Sequence, residues 1–193
     1  MKTSFKIIIT ALSIAVMTLD GCKKEEQVIS PPVPGNEFMT TVKLRFENAA
    51  DPNDTSWAIW RDLTPDDLNP PDTSQAIINI KNSATYRVTV HLYDETQNPA
   101  EELTQEIIDR GNYHLYVFFK TGAIDNNLTI TPTDHDTNNP PLPIGLSDDF
   151  VTSSTVCSGR LEGILRHQPN SKDGTFAPGS TDSDVFFTLN ITN

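Results

Sequence analysis

The sequence predicts an all-β fold, an immunoglobulin-like or Greek-key sandwich of seven to nine strands with one short helix. Three observations of the 193-residue chain lead to this prediction. Apolar and polar residues alternate in several segments, which is typical of strands with one buried face. Stretches rich in Asn, Asp, Pro and Gly separate these segments. Only one segment has helical spacing.

The clearest alternation occurs in residues 38–46, 85–93 and 185–191, where the side chains of one face are mainly apolar. Both faces of 113–120 are apolar, which predicts a central strand. The remaining strand-like runs are 55–61, 75–81, 127–132 and 154–167. The turn-rich stretches between strands are 48–54, 62–74, 134–149 and 168–182.

The one predicted helix covers about residues 99–110. The run Asn98-Pro99-Ala100-Glu101 resembles a helix start, with Asn as N-cap, Pro at the first helical position and an acid at the third. Leu103 and Ile107 then lie one helical turn apart, and Gly111 can end the helix. We expect this helix to cap an edge or an open end of the sandwich.

The N-terminus predicts export and lipidation. Two lysines precede an apolar run too short to cross a bilayer comfortably, which is typical of a secretory signal over residues 1–21. Leu19-Asp20-Gly21-Cys22 resembles a lipobox, in which Cys22 becomes the diacylated first residue of the mature protein. The alternative is ordinary signal cleavage with Cys22 unmodified. Residues 22–36 then form a Pro-rich tether, and residues 37–193 form the folded domain.

The charged run Lys24-Glu25-Glu26 lies near the start of the tether. It is relevant to where the protein is located. It resembles the signal that sends Bacteroidetes-type lipoproteins to the outer face of the outer membrane. The alternative is a solvated charged linker. The expected location is therefore the outer membrane, with the domain anchored by its lipid and facing the cell exterior.

Charge and cysteine content restrict the possible partners. The chain has 14 basic and 26 acidic residues and a net charge of -12, which excludes a nucleic-acid-binding function because the phosphate backbone is also negative. If Cys22 carries lipid, Cys157 is the only other cysteine, so no intrachain disulfide can form. The domain must then be stabilised by its core.

The sequence contains none of the common catalytic motifs. It has no nucleophile elbow, no H-E-x-x-H zinc motif, no C-x-x-C pair, no P-loop and no dinucleotide fingerprint. The four histidines have no partners at a fixed spacing. We therefore expect a protein that is not an enzyme and has no catalytic residues.

A calcium-like loop is one candidate cation site. Asp134, Asp136 and Asn138 place side-chain oxygens at alternate positions, as in the first half of a calcium-binding loop. Asn139 replaces the usual Gly, and Gly145 stands where the final Glu would be. The alternative is a plain turn rich in Asp and Asn.

The second candidate site joins the helix to the strand that follows it. Glu102, Glu106 and Asp109 could share a helix face near His114. A histidine with carboxylates suits zinc, copper or iron. The alternative is a solvated acidic face beside a histidine that binds nothing.

Several segments together resemble small lipoproteins of Bacteroidetes. They are Trp60-Arg61-Asp62, Asn98 to Ile107, His114, Asp134 to Asn138, Leu165-Arg166-His167-Gln168-Pro169 and Val185 to Ile191. Proteins of this kind often carry the label of a type 1 periplasmic-binding fold. That fold is α/β and about twice as long, whereas the strand pattern here has no interleaved helices.

This resemblance implies an accessory lipoprotein beside an outer-membrane TonB-dependent receptor, and some such lipoproteins assist metal uptake. The sequence therefore favours a membrane-anchored binding module that captures a metal or another nutrient. The alternative is a structural or adhesive surface module without a small ligand.

Overall fold

The computed structural model describes residues 39–64 and 69–193. The predicted signal, the lipidated Cys22, the tether and Phe38 lie outside the described residues. The described part forms two β-sheets with one α-helix, which confirms the predicted all-β sandwich. None of its helices has the length and apolar character needed to span a membrane.

The larger sheet has seven strands. They are β1 (Thr41–Asn48), β2 (Asp51–Arg61), β3 (Asp72–Gln75), β5 (Thr85–Asp94), β6 (Glu101–Glu102), β8 (Leu128–Pro132) and β9 (Ser147–Thr152). Their order is β3-β2-β1-β5-β9-β8, and β6 pairs with the end of β5 that β9 leaves open.

The smaller sheet has four strands in the order β4-β11-β10-β7. They are β4 (Ile77–Lys81), β7 (His114–Gly122), β10 (Cys157–His167) and β11 (Ser180–Thr192). Strand β4 runs parallel to β11, and the other pairs are antiparallel. The eleven strands of the described residues exceed the predicted seven to nine, partly because β3 and β6 are very short.

The alternation predicted from sequence produces the core between the sheets. On β1, Val42, Leu44 and Phe46 are at most 1% exposed, and they pair across the ladder with apolar residues of β5. Val185 and Phe187 of β11 belong to the same buried cluster. Because strand side chains alternate between faces, each of these strands places its apolar half in the core.

Strand β7 lies at a sheet edge, so the prediction of a central strand at 113–120 is wrong. Its second apolar face is only partly buried, and Phe119 on that face is 40% exposed. Phe119 packs edge-on against Phe176 of the loop between β10 and β11, with ring centroids 5.2 Å apart. The backbone N–H of Tyr116 donates to the carbonyl of Ile144, 2.7 Å away, in a second loop.

The helix α1 covers only Thr104–Asp109, so the first part of the predicted helix is wrong. Its N-cap is Leu103, and the preceding Glu101 and Glu102 pair with β5 as strand β6. The Leu103 N–H donates to the carbonyl of Leu92, 2.8 Å away. The open end of β5 therefore competes successfully with the local capping signal for these backbone groups. Two 3-10 turns follow, Gly111–Tyr113 and Ala123–Asn126.

Candidate metal centre

The four residues Glu102, Glu106, Asp109 and His114 do not form the metal site that the sequence predicts. Glu102 lies on β6 with its carboxylate 3.3 Å from His91 Nδ1. Glu106 and Asp109 accept hydrogen bonds within the helix segment, at 2.9 Å and 2.8 Å. The shortened helix separates Glu102 from the other two acids, while the side chain of His114 is fully buried.

The loop with Asp134, Asp136 and Asn138 is closed by its own hydrogen bonds. Asp134 accepts the backbone N–H groups of Gly145 and Leu146 at 2.8 Å and 3.0 Å. Asp136 accepts the backbone N–H groups of Asn138 and Leu142. The Asn138 amide also donates to Asp136, at 2.9 Å. These contacts match the alternative interpretation, a turn rich in Asp and Asn.

Lys172 supplies the positive charge that this loop needs. Its ammonium donates to Asp136 Oδ2 and to the carbonyl of Gly111, each at 2.8 Å, and both charged side chains are almost fully buried. Burial raises the pKa of Asp136, but the hydrogen bonds from Lys172 and the loop outweigh it and hold that pKa below its usual value. The place of a bound cation beside Asp136 is therefore taken by a side chain of the protein.

A different group of residues comes together inside the smaller sheet. His114, His167 and Asp182 each offer a ligand atom, and these atoms lie within 4.8 Å of one another. Asp182 Oδ2 is 3.9 Å from His114 Nε2 and 4.0 Å from His167 Nδ1. The two imidazole rings are stacked with their centroids 5.0 Å apart.

The strand register explains this convergence. His114 begins β7, His167 ends β10, and the two are direct antiparallel partners whose side chains share a face. Between β10 and β11 the register shifts, so that Leu165 pairs with Ser183 and Arg166 with Thr181. Asp182 has no counterpart in this ladder, and such a bulge can re-aim a side chain. Its carboxylate reaches both histidines.

The hydrogen bonds of His114 fix which ring nitrogen can bind a metal. Its Nδ1 lies 3.1 Å from the carbonyl of Arg110, so Nδ1 carries the proton and Nε2 presents a lone pair. That Nε2 and Asp182 Oδ1 are buried without a hydrogen-bond partner in the described part of the chain. The backbone carbonyl thus orients the imidazole in the way that outer contacts orient metal-binding histidines.

Burial determines the protonation of the cluster. It lowers the pKa of His114 to about 4, although the hydrogen bond to Arg110 opposes the shift, so the imidazole is neutral at pH 7. Burial also raises the pKa of Asp182, against the opposing effect of His167. A neutral imidazole is the form that binds metals.

The donor set suits a divalent transition metal. Zinc binds nitrogen and oxygen ligands at about 2.0–2.2 Å, which puts the atoms of a tetrahedral site about 3.4 Å apart. The ligand atoms here are farther apart, at 3.9 Å, 4.0 Å and no more than 4.8 Å, so all three residues would have to move closer to hold an ion. Two imidazoles and one carboxylate also suit iron and copper.

No protein-family model, curated protein or solved structure matches this chain. The function must therefore be inferred from the geometry of these residues, and the resemblance to Bacteroidetes lipoproteins stays a prediction.

The sequence held a partial signal for this cluster. His114 opens one strand-like run, and His167 closes another at 154–167, so antiparallel pairing of the two runs would have brought the imidazoles together. Asp182 could not have been found in this way. Its position depends on a bulge in a segment whose sequence predicts only a loop.

Proposed function

We propose that this protein is a lipid-anchored lipoprotein of the outer membrane, facing the cell exterior, whose folded domain captures a divalent transition metal. In this proposal the protein is a binding module beside a TonB-dependent receptor and is not an enzyme. The observation that carries it is that ligand atoms of His114, His167 and Asp182 lie within 4.8 Å of one another.

Two atoms of the cluster, His114 Nε2 and Asp182 Oδ1, are buried without a hydrogen-bond partner among the described residues. His114 Nε2 presents a lone pair toward the carboxylate of Asp182, and no proton donor lies between them at hydrogen-bond distance. A buried polar atom without a partner costs about 1–3 kcal/mol. A cation between the three residues would remove that cost, since its charge and vacant orbitals serve all three ligand atoms together.

The number of ligands favours capture and release over permanent structural binding. Structural zinc sites use four protein ligands, whereas three leave a coordination position for water or an exchanging ligand. Zinc, copper and iron accept this set of two nitrogens and one carboxylate. Calcium prefers six to eight oxygen ligands and does not fit it.

The predicted lipid anchor supports the part of the proposal that concerns location. Lipidation at Cys22 would hold the domain at a membrane, and Lys24-Glu25-Glu26 would direct it outward. A metal held there with an open coordination position could pass to a transporter in the same membrane.

Isothermal titration calorimetry of the full-length lipoprotein in detergent micelles tests the metal assignment. We expect Zn²⁺, Cu²⁺ or Fe²⁺ to bind with one site per chain and Ca²⁺ to give no heat. His167→Asn should weaken binding at least tenfold, since its side chain is 12% exposed and is the most accessible of the three ligands. His135→Asn, a change at an exposed histidine outside the cluster, is the matched control.

The absence of heat with all three transition metals would contradict the metal assignment. The structural or adhesive surface module would then be the better interpretation. Equal losses from His167→Asn and His135→Asn would place the metal outside the cluster.

A further inference from the structure

A small cavity lies at an open side of the sandwich, away from the metal cluster. It has a volume of about 180 Å³ and lies between the edge strands β7 and β8, with residues of two loops around it. Its lining includes Tyr116, Phe118, Ile130, Pro143 and Asp148. None of the three metal-cluster residues belongs to that lining.

Two of the residues that line this cavity have a buried polar atom without a hydrogen-bond partner among the described residues. Asp148 is 2% exposed and its Oδ2 receives no hydrogen bond. Tyr116 is 1% exposed and its hydroxyl is likewise unpartnered. More than nine in ten buried polar groups in proteins have a partner, so two exceptions on one cavity need an explanation.

The strand pattern marks Asp148 as unusual. On β9 it shares the buried face with Phe150 and Thr152, at a position where the alternation calls for an apolar side chain. The sequence thus breaks its own core pattern at this residue, and such breaks concentrate at functional sites.

The neighbouring strand leaves space for the tyrosine hydroxyl. Gly163 of β10 lies beside it, and a Cβ at that position would collide with the Tyr116 hydroxyl. A side chain at Gly163 would therefore displace the polar end of Tyr116.

The size and lining of the cavity indicate the class of ligand. At about 30 Å³ per water molecule, 180 Å³ holds roughly six non-hydrogen atoms. Apolar walls, an aromatic ring and one unpaired carboxyl are the features that bind a small organic cation. Water alone would satisfy the polar groups but would leave Phe118 and Ile130 wetted.

We propose that this cavity binds a small primary amine in its protonated form. Its ammonium group pairs with the carboxylate of Asp148, and its short carbon chain lies against Phe118 and Ile130. The contacts are a charge-assisted hydrogen bond and apolar burial, and no covalent bond forms. The site is separate from metal capture, so either can fail alone.

Binding of an ammonium ion should release a proton from the protein. Burial, with the nearby charges of Asp134 and Asp149, raises the pKa of Asp148 to about 8, so its carboxyl holds a proton at pH 7. The bound ammonium keeps its own proton, and the carboxyl must release one to form the ion pair. Binding at pH 7 therefore releases close to one proton per ligand.

Calorimetric titration of the full-length lipoprotein with butylammonium chloride tests this inference. We expect millimolar or tighter binding, and the heats in two buffers of different ionisation enthalpy should report the released proton. Butanol and butyrate, of the same size but without the cationic group, should bind at least tenfold more weakly.

Variants locate the ligand. Asp148→Asn should weaken butylammonium binding at least tenfold and abolish proton release. Asp125→Asn, at an exposed aspartate outside the cavity lining, is the matched control and should leave binding unchanged. Unchanged zinc binding by Asp148→Asn would show that the two sites are independent.

Three results would overturn the proposal. They are no heat at tens of millimolar butylammonium, equal binding of butanol, and undiminished binding by an Asp148→Asn variant whose thermal unfolding shows that it is folded.

Discussion

The Asp134–Asp136 loop and the His114–His167–Asp182 cluster differ in how fully their polar atoms are hydrogen-bonded. In the loop, backbone N–H groups and the buried ammonium of Lys172 donate hydrogen bonds to the carboxylates. In the cluster, His114 Nε2 and Asp182 Oδ1 stay without a partner in the described residues. The number of acidic residues therefore does not identify a cation site. The number of unsatisfied ligand atoms is the better guide.

Removal of the built-in cation should have the largest effect. Lys172→Met keeps most of the aliphatic side chain but leaves the buried Asp136 without its charge partner. We expect the free energy of unfolding to fall by about 3 kcal/mol, which lowers the melting temperature by roughly 6–12 °C. Thermal denaturation followed by circular dichroism measures this.

The exposed ion pair of Lys81 and Asp54 provides the control for Lys172→Met. Lys81 is more than half exposed, so Lys81→Met should leave the melting temperature almost unchanged. Equal destabilisation by the two substitutions would show that burial does not distinguish these pairs. Adding Asp136→Asn to Lys172→Met should restore part of the lost stability, because the uncompensated charge is gone.

Metal addition should stabilise the cluster and not the loop. Zinc at a hundred times its dissociation constant should stabilise the native protein by about 2.7 kcal/mol. Asp182→Asn should abolish this rise in melting temperature while leaving the metal-free protein near its original stability, because a poorly paired buried carboxyl is removed. Asp136→Asn is the comparison variant, and its zinc response should match that of the native protein. A loss of the response in Asp136→Asn alone would reverse the assignment of the two regions.

The local sequence pattern predicts the fold more completely than it predicts the Asp134–Asp136 loop or the His114–His167–Asp182 cluster. The alternation around Leu44, Val90 and Phe187 depends only on neighbouring residues, and each of these side chains lies in the core. The helix start at Asn98 was wrong because a long-range pairing with β5 overrode a local signal. Lys172 and Asp182 both come from residues 168–182, where the sequence shows only turn-forming residues. Their contacts reach Asp136 and His114, which are distant in the chain.

Asp148 extends the comparison to a buried carboxyl whose Oδ2 has no hydrogen-bond partner in the described part of the chain. Its pKa is about 8 in the folded protein and about 3.8 unfolded, so the folded state holds the extra proton between those values. Stability should therefore fall as pH rises from 4 to 8 and stay low above pH 8. Asp148→Asn should remove this contribution to the slope and raise stability above pH 8 by roughly 1–2 kcal/mol. Urea unfolding across this pH range measures the free energy of unfolding. An unchanged pH dependence in Asp148→Asn would show that Asp148 does not cause the slope.

The acidic helix surface should show the smallest effect. Glu106 forms an exposed pair with Arg110, and such helical pairs contribute at most about 0.5 kcal/mol. We expect the triple variant Glu102→Gln, Glu106→Gln, Asp109→Asn to change the free energy of unfolding by no more than about 1 kcal/mol. Its zinc affinity should stay within twofold of the native value, as measured by calorimetry. A large loss of zinc affinity would return the metal to the helix face that the sequence predicts. An unchanged affinity would leave His114 as the one residue common to the predicted site and to the cluster, where its Nε2 lies 3.9 Å from Asp182.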